Sequence, residues 1–215
     1  MEPDIIRIIN ARKVEKCYNL IFIRGKRMTL LIIGLMLWAI VHLFPATMPA
    51  QRALLIERLG NGYQGLFALL ILSSVVLIVF GWKAAIPINI YQPIGTLTII
   101  AKLVIFLAFV LMAAANFPAT RIKKFIRHPQ LTGVLCWSIA HLMLNGDSRS
   151  VILFTSMAVW SVISMLMINK RDGNWEKPTI FMPMFKELII PALALIMVAI
   201  MVYFHAYLSG IALIH

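Results

Sequence analysis

The chain has 215 residues, 61% of them hydrophobic and only 13% charged, with a formal net charge of +12 and a mean hydropathy of +0.91. A soluble domain is nearer half apolar and a quarter charged. The composition therefore excludes an ordinary soluble enzyme and points to an all-α integral membrane protein, a single bundle of helices with no room for a second large domain. No basic face recurs on a soluble-looking segment, so the positive charge does not indicate a nucleic-acid partner. It fits Lys and Arg gathered in cytoplasmic loops.

In chain order, residues 1–27 come first. They carry Arg7, Arg12, Lys13, Lys16, Arg24, Lys26 and Arg27. The expectation is a basic extension outside the bundle, arising either because translation starts at Met28 or because an amphipathic segment lies on the membrane surface. Its short apolar stretch runs into RGKR rather than a small-residue cleavage site, unlike a signal peptide. Six apolar stretches follow, at 29–44, 63–82, 95–115, 131–145, 151–169 and 185–207. A crossing takes about 20 residues, so the first and fourth are short. The architecture expected is a bundle of about six transmembrane helices over 28–215. Gly and Pro mark the connections, Trp82, Tyr91, Trp175 and Tyr203 fall where interfacial aromatics belong, and Pro191 reads as a kink inside the last span.

Charge orients the bundle. The first, third and fifth loops hold Arg52, Arg58, Arg121, Lys123, Lys124, Arg127, Lys170, Arg171 and Lys177, whereas the second and fourth hold only Lys83 and Arg149. The positive-inside rule then places the odd loops in the cytoplasm and both ends of the bundle outside. Cys17 and Cys136 share no CxxC spacing, and neither a disulfide framework nor a zinc site is expected; Cys136 reads as a small packing residue.

Five histidines are present: His42, His128, His141, His205 and His215. His42, His141 and His205 stand in apolar runs, where an ionisable group is a functional candidate. The competing reading for each is a neutral imidazole bonding across helices. LWAIVHLF at 37–44 and CWSIAHLM at 136–143 both place Trp four residues before His, on one helix face. The match suggests an inverted repeat of three spans. At 1.5 Å per residue, His42 lies roughly 20 Å into its span and His141 roughly 15 Å into its own from the other side, so the two can share a level; His205, roughly 30 Å from Phe185, falls near the outer face.

A pair of imidazoles restricts the metal. Zinc takes three or four protein ligands, a facial-triad iron needs a carboxylate, and no Cys, Asp or Glu lies at the depth of the pair. Haem needs only one or two axial imidazoles, and its propionates favour cations. Arg127, His128 and Lys102 are available; for Lys102, snorkelling to the outer face is the alternative, and for the RHP cluster at 127–129, a basic loop facing lipid headgroups.

From Met28 onward the chain resembles the NnrU family of bacterial membrane proteins. The resemblance rests on HLFPA at 42–46, LGNGYQGLFALL at 59–70, RHPQLTGVLCWSIAHLMLNGD at 127–147 and INKRDG at 168–173. It implies a multi-pass protein of the bacterial inner membrane with a role in nitrite and nitric oxide metabolism (denitrification). The family is similar to the plant 15-cis-zeta-carotene isomerase, a haem b protein with two histidine ligands, whose positions resemble His42 and His141. Two classes of function follow: a haem enzyme acting on nitrogen oxides or on a cis polyene, and a non-enzymatic haem carrier, sensor or assembly factor for a respiratory complex.

Overall fold

The structure, a computed structural model, describes residues 28–213. The readings made of residues 1–27, of Cys17 and of His215 fall outside that range. Nine helices are described. In chain order they are α1 (Met28–Thr47), α2 (Pro49–Leu59), α3 (Gly62–Ala84), α4 (Thr98–Ala115), α5 (Ile122–Phe125), α6 (Pro129–Leu144), α7 (Ser148–Asp172), α8 (Met184–Glu187) and α9 (Ile189–Ser209). The fold is all-α. Five segments, Met28–Thr47, Gly62–Ala84, Gly95–Ala115, Ser148–Asp172 and Met184–Ser209, are long and apolar enough to cross a membrane.

The sixth expected crossing is α6. Its 16 residues extend about 24 Å, against a hydrocarbon core of about 30 Å. It packs along α4 on one side and along α7 on the other, and α7 begins after a three-residue connection. A helix that runs back along both neighbours traverses the same layer as they do. Pro129 opens it at the first-turn position, where a missing N–H costs no bond.

Neighbour relations close the six long helices into a ring. Helix α4 packs on α6 and α9, α6 on α7, and α3 touches α9. Helix α1 leans on α3, where a Cβ on Gly81 would stand 2.4 Å from the Leu31 amide nitrogen. It also faces α7 through Trp38 and Trp160, whose rings are 5.6 Å apart. The α4–α6 seam is closed at Gly133, where an added Cβ would stand 2.7 Å from the Ala108 carbonyl oxygen, and the α4–α9 seam at Ala113 and Ala114, which pack with Ile190. Lipid tails are as apolar as leucine, so helices gain little by hiding large aliphatics and more by close backbone approach. Accordingly Ile99, Leu103 and Phe80 stay largely exposed.

The loops sort into two groups. At one end, the connection after α3 meets the α6–α7 turn: Asn89 pairs with Asp147, and the amides of Ile90 and Tyr91 donate to the Gly146 carbonyl. The end of α9 joins them, where Trp82 Nε1 donates to the Ser209 carbonyl at 2.9 Å. At the other end, Met182 N donates to Ala119 O, Arg121 pairs with Glu187 at 3.1 Å, and Arg171 reaches the Pro45 carbonyl at 3.2 Å. This is the odd–even division that the charge pattern demands, with the Lys- and Arg-rich loops together.

One local reading changes. Trp82 is buried beneath Arg149, whose guanidinium lies 4.6 Å from the indole, and is not an interfacial anchor. Pro191 lies inside the last span, Met184–Ser209, whose helix is interrupted at Leu188, three residues earlier, in the turn that a proline's ring and missing N–H disturb. Tyr203 is 68% exposed.

If close backbone approach holds the ring together, Gly81→Val and Gly133→Val each destabilise the detergent-solubilised protein by the ~1–3 kcal/mol typical of overpacking, measured as a lower thermal unfolding midpoint. Gly65→Ala, where nothing lies within 4 Å of the added carbon, leaves it unchanged.

Candidate functional site

The two tryptophan–histidine units form as helical i, i+4 pairs. His42 Nδ1 lies 2.9 Å from the Trp38 carbonyl, and His141 Nδ1 lies 2.9 Å from the Trp137 carbonyl. A carbonyl only accepts, so in each ring the proton is on Nδ1, and the neutral ring keeps the lone pair on Nε2. This is the arrangement in which a histidine is aimed as a metal ligand, with its second nitrogen held by a backbone oxygen.

Each unit packs on α7. His42 lies 4.0 Å from Trp38, 5.2 Å from Trp160 and 6.0 Å from Phe67, centroid to centroid. His141 stacks on Phe154 at 4.4 Å, and Trp137 meets the same phenyl ring edge-on at 5.0 Å. Phe154 and Trp160 are six residues apart on α7, which is about 9 Å of rise and about 120° around the axis. The rings of His42 and His141 therefore contact different faces of α7 at different heights.

The shared level expected from counting does not appear. His42 is five residues from the end of α1, on the basic-loop side; His141 is three residues from the end of α6, on the opposite side. His205 stands at the same end of the bundle as His141, one turn before the end of α9. Its Nδ1 is engaged by the Ile211 carbonyl at 2.8 Å and by Ser209 Oγ at 3.0 Å. Counting from Phe185 places His205 toward the far end of its span, and the structure has it four residues from the end of α9, away from the basic loops. The misplaced histidine was His141, because α6 is short and its far end lies only one turn beyond the ring.

Arg127 and His128 are together, at the His42 end. Arg127 donates to the Gly173 carbonyl at 2.8 Å and His128 Nε2 to Asn169 Oδ1 at 2.8 Å. Both bonds pin the third loop to the end of α7. Lys102 is exposed near the start of α4, as a snorkelling side chain is. Cys136 is a free, partly buried thiol. Among the described residues, no three His, Cys, Asp or Glu side chains gather as a metal site.

Other residues that shape the site carried no signal in the sequence. Tyr91 donates its hydroxyl to the Leu142 carbonyl and lies 2.9 Å from the Asn145 carbonyl, closing the end of α6 one residue after His141. Asn145 Nδ2 in turn donates to the His141 carbonyl at 3.0 Å. Asp147 caps α7, accepting from the amides of Arg149 and Ser150 at 3.0 and 3.3 Å and from Ser150 Oγ at 2.5 Å.

A family model described as NnrU protein matches residues 30–213. The chain belongs to the NnrU family. No curated protein and no solved structure matches it. The match spans both tryptophan–histidine units and all six long helices, so the bundle as a whole is what defines the family here.

Asp147 gives the His141 end of the bundle a pH dependence. Partial burial pushes its carboxyl up, but the donors on Ser150 and Arg149 outweigh that and hold it below the usual carboxylate range. A depressed native value means that the stabilisation is present above the unfolded value of about 3.9 and is lost as pH falls through the native one. Asp147→Ala is expected to cost about 1 kcal/mol near neutral pH, as a lost helix cap does. Thermal unfolding from about pH 6 to about pH 3 should show an acid limb in the natural protein that is reduced in the variant.

Proposed function

We propose that this NnrU-family membrane protein binds haem b through intramembrane imidazoles, in a role linked to nitrite and nitric oxide metabolism. The observation that carries the proposal is the pair of matched units, Trp38–His42 and Trp137–His141. In each, Nδ1 is tied to the carbonyl four residues back and Nε2 is left with its lone pair. Each ring also lies against flat aromatic neighbours, Trp160 and Phe154 respectively, the surroundings that a planar macrocycle requires. Two imidazoles without a third protein ligand suit haem, where the porphyrin supplies the other four nitrogens, better than zinc.

Taken singly, both histidines fit an axial ligand. The family resemblance selects His42 and His141 as the pair. Arg127 and His128, on the loop at the His42 end, supply cationic surface for propionates. A second reading has its own observation: His205 stands at the same end of the bundle as His141, and its Nδ1 too is engaged by neighbouring oxygens. In that reading His141 and His205 are the two ligands, and His42 belongs to a separate site. His42 and His141, or His141 and His205, would hold the haem, which would supply a redox-active iron for chemistry on a nitrogen oxide or a polyene. The chain's own contribution is to orient the rings and exclude water.

The test is an absorption spectrum of protein made with ample haem and purified in detergent, oxidised and reduced. A Soret band with the bis-imidazole signature is expected. His141→Ala should abolish that signature in either reading. Loss in His42→Ala with retention in His205→Ala selects the first pair, and the reverse selects the second. Absence of a Soret band from the natural protein would falsify the proposal. A knockout then assigns the chemistry: accumulated nitrite or nitric oxide supports the denitrification role, and accumulated cis polyene supports isomerisation.

A further inference from the structure

Helix α2 joins two membrane spans, α1 and α3, so both its ends stand at one face of the bundle. Its 11 residues extend about 16 Å, too short to cross. Sharp corners bracket it. Met48 leaves the helical region at φ −129° and ψ 58°, because the ring of Pro49 disfavours a helical residue before it. Gly60 ends the helix at φ +51°, a conformation that favours glycine. The face is the basic one: Arg171 of the fifth loop reaches the Pro45 carbonyl, just before α2. No residue of α2 is buried, and Leu54 and Leu59 are 53% and 44% exposed. A short helix with uncovered leucines beside arginines lies where headgroups meet acyl chains.

Two faces of α2 have different neighbours. Arg52 faces α3, with its guanidinium 6.0 Å from the Tyr63 ring. Gln51, Leu54, Leu55 and Arg58 share another face, at the i, i+3, i+4 and i+7 spacing. With Phe44 of α1 they line a groove of about 290 Å³. That is just below the roughly 300–1,000 Å³ of a pocket that encloses a drug-sized ligand, so the groove holds part of a larger molecule. Its floor is two leucines and a phenyl ring. Its polar members are one guanidinium and one carboxamide, both exposed.

Arg58 differs from the other described arginines. Arg121, Arg149 and Arg171 pair with carboxylates at 3.1, 3.3 and 2.6 Å. Arg127 donates to the Gly173 carbonyl, and Arg52 lies against Tyr63. Among the described residues the Arg58 guanidinium has no such partner. Glu57 is its chain neighbour but lies about 100° away around the helix. The groove therefore carries one uncompensated positive charge. A guanidinium fork matches phosphate oxygens bidentately, and a carboxamide N–H donates to the same kind of oxygen. The apolar floor beside them takes hydrocarbon. A basic membrane face gathers lipids of net negative charge, and such a lipid carries both parts at this depth. We propose that the α1–α2 groove is a site for an anionic phospholipid of the leaflet on the basic-loop side. Its phosphate sits on Arg58 and Gln51, and the upper part of one acyl chain sits on Phe44, Leu54 and Leu55. The inference is independent of haem ligation.

The test is native mass spectrometry of the full chain in mild detergent, with phosphatidylglycerol and phosphatidylcholine of matched acyl chains as probes. One phosphatidylglycerol per chain is expected, at least fivefold tighter than phosphatidylcholine, and it should raise the thermal unfolding midpoint. Arg58→Gln should weaken phosphatidylglycerol about fivefold, the contribution of one basic side chain at an anionic surface, and leave phosphatidylcholine unchanged. Leu55→Ala should weaken both lipids by thinning the floor. Lys124→Gln removes a charge from the third loop at the same face and should change phosphatidylglycerol less than twofold. Because Arg58 is exposed, Arg58→Gln should leave the lipid-free midpoint where it is. Equal affinity for the two lipids, or unchanged phosphatidylglycerol affinity in Arg58→Gln, overturns the proposal. So does an equal loss in Lys124→Gln, which would mean diffuse attraction to the whole basic face. Inorganic phosphate competing as well as the lipid would assign the groove to a free anion, and a lower lipid-free midpoint in Arg58→Gln would assign Arg58 to the fold; either overturns it.

Discussion

Between helices in a bilayer no water is available to receive a proton donor or solvate a lone pair, and this constraint sorts the polar side chains of the bundle. Most are satisfied within their own helix. Ser74, Ser138 and Ser161 donate to carbonyls three or four residues back, and His42 and His141 use the carbonyls of Trp38 and Trp137 as second acceptor sites. A carbonyl with two lone pairs can serve an amide and a side chain at once. The imidazoles thereby settle one nitrogen locally, which leaves the other directed into the bundle and without an equivalent local partner.

Helix α7 is where the consequences meet. Its first half presents Phe154 to Trp137 and His141, and its second half presents Trp160 to Trp38 and His42. Its ends are tied differently. At the start, Asp147 caps the helix and the Arg149 side chain spans the Asp147 carboxylate and the Trp82 ring. At the finish, Asn169 and Gly173 hold His128 and Arg127. A helix fixed at both ends and flanked by two aromatic clusters sets the height of each histidine. That height depends on the helix's own length and capping, more than on where the apolar stretch on the histidine's own helix appears to begin.

This explains what the sequence revealed and what it did not. Membrane class, the order of the crossings and the segregation of basic loops follow from hydropathy and charge, which are local properties summed over many residues. The i, i+4 placement of Trp and His on one helix face is equally local. Relative depth is not: it requires true helix ends. Helix α6 stops at Leu144 because the Asn145–Asp147 turn pairs with the connection after α3, through contacts some sixty residues apart such as Ile88 N to Ser148 Oγ. Likewise Trp82 resembles any interfacial indole until Arg149 covers it.

The two clusters resemble one another in sequence and differ in chemistry, and the difference lies in their surroundings. Around His141 the indole of Trp137 and the phenyl of Phe154 leave no buried polar atom without a partner, and the neighbouring carbonyls are capped by Tyr91 and Asn145. Around His42 the same Trp–His unit meets a second indole, and the Nε1 atoms of both Trp38 and Trp160 are buried without an acceptor. A repeat of the Trp–His unit therefore does not repeat its surroundings: each ring takes the neighbour that its own contact on α7 supplies, Phe154 toward the start of that helix and Trp160 at its middle.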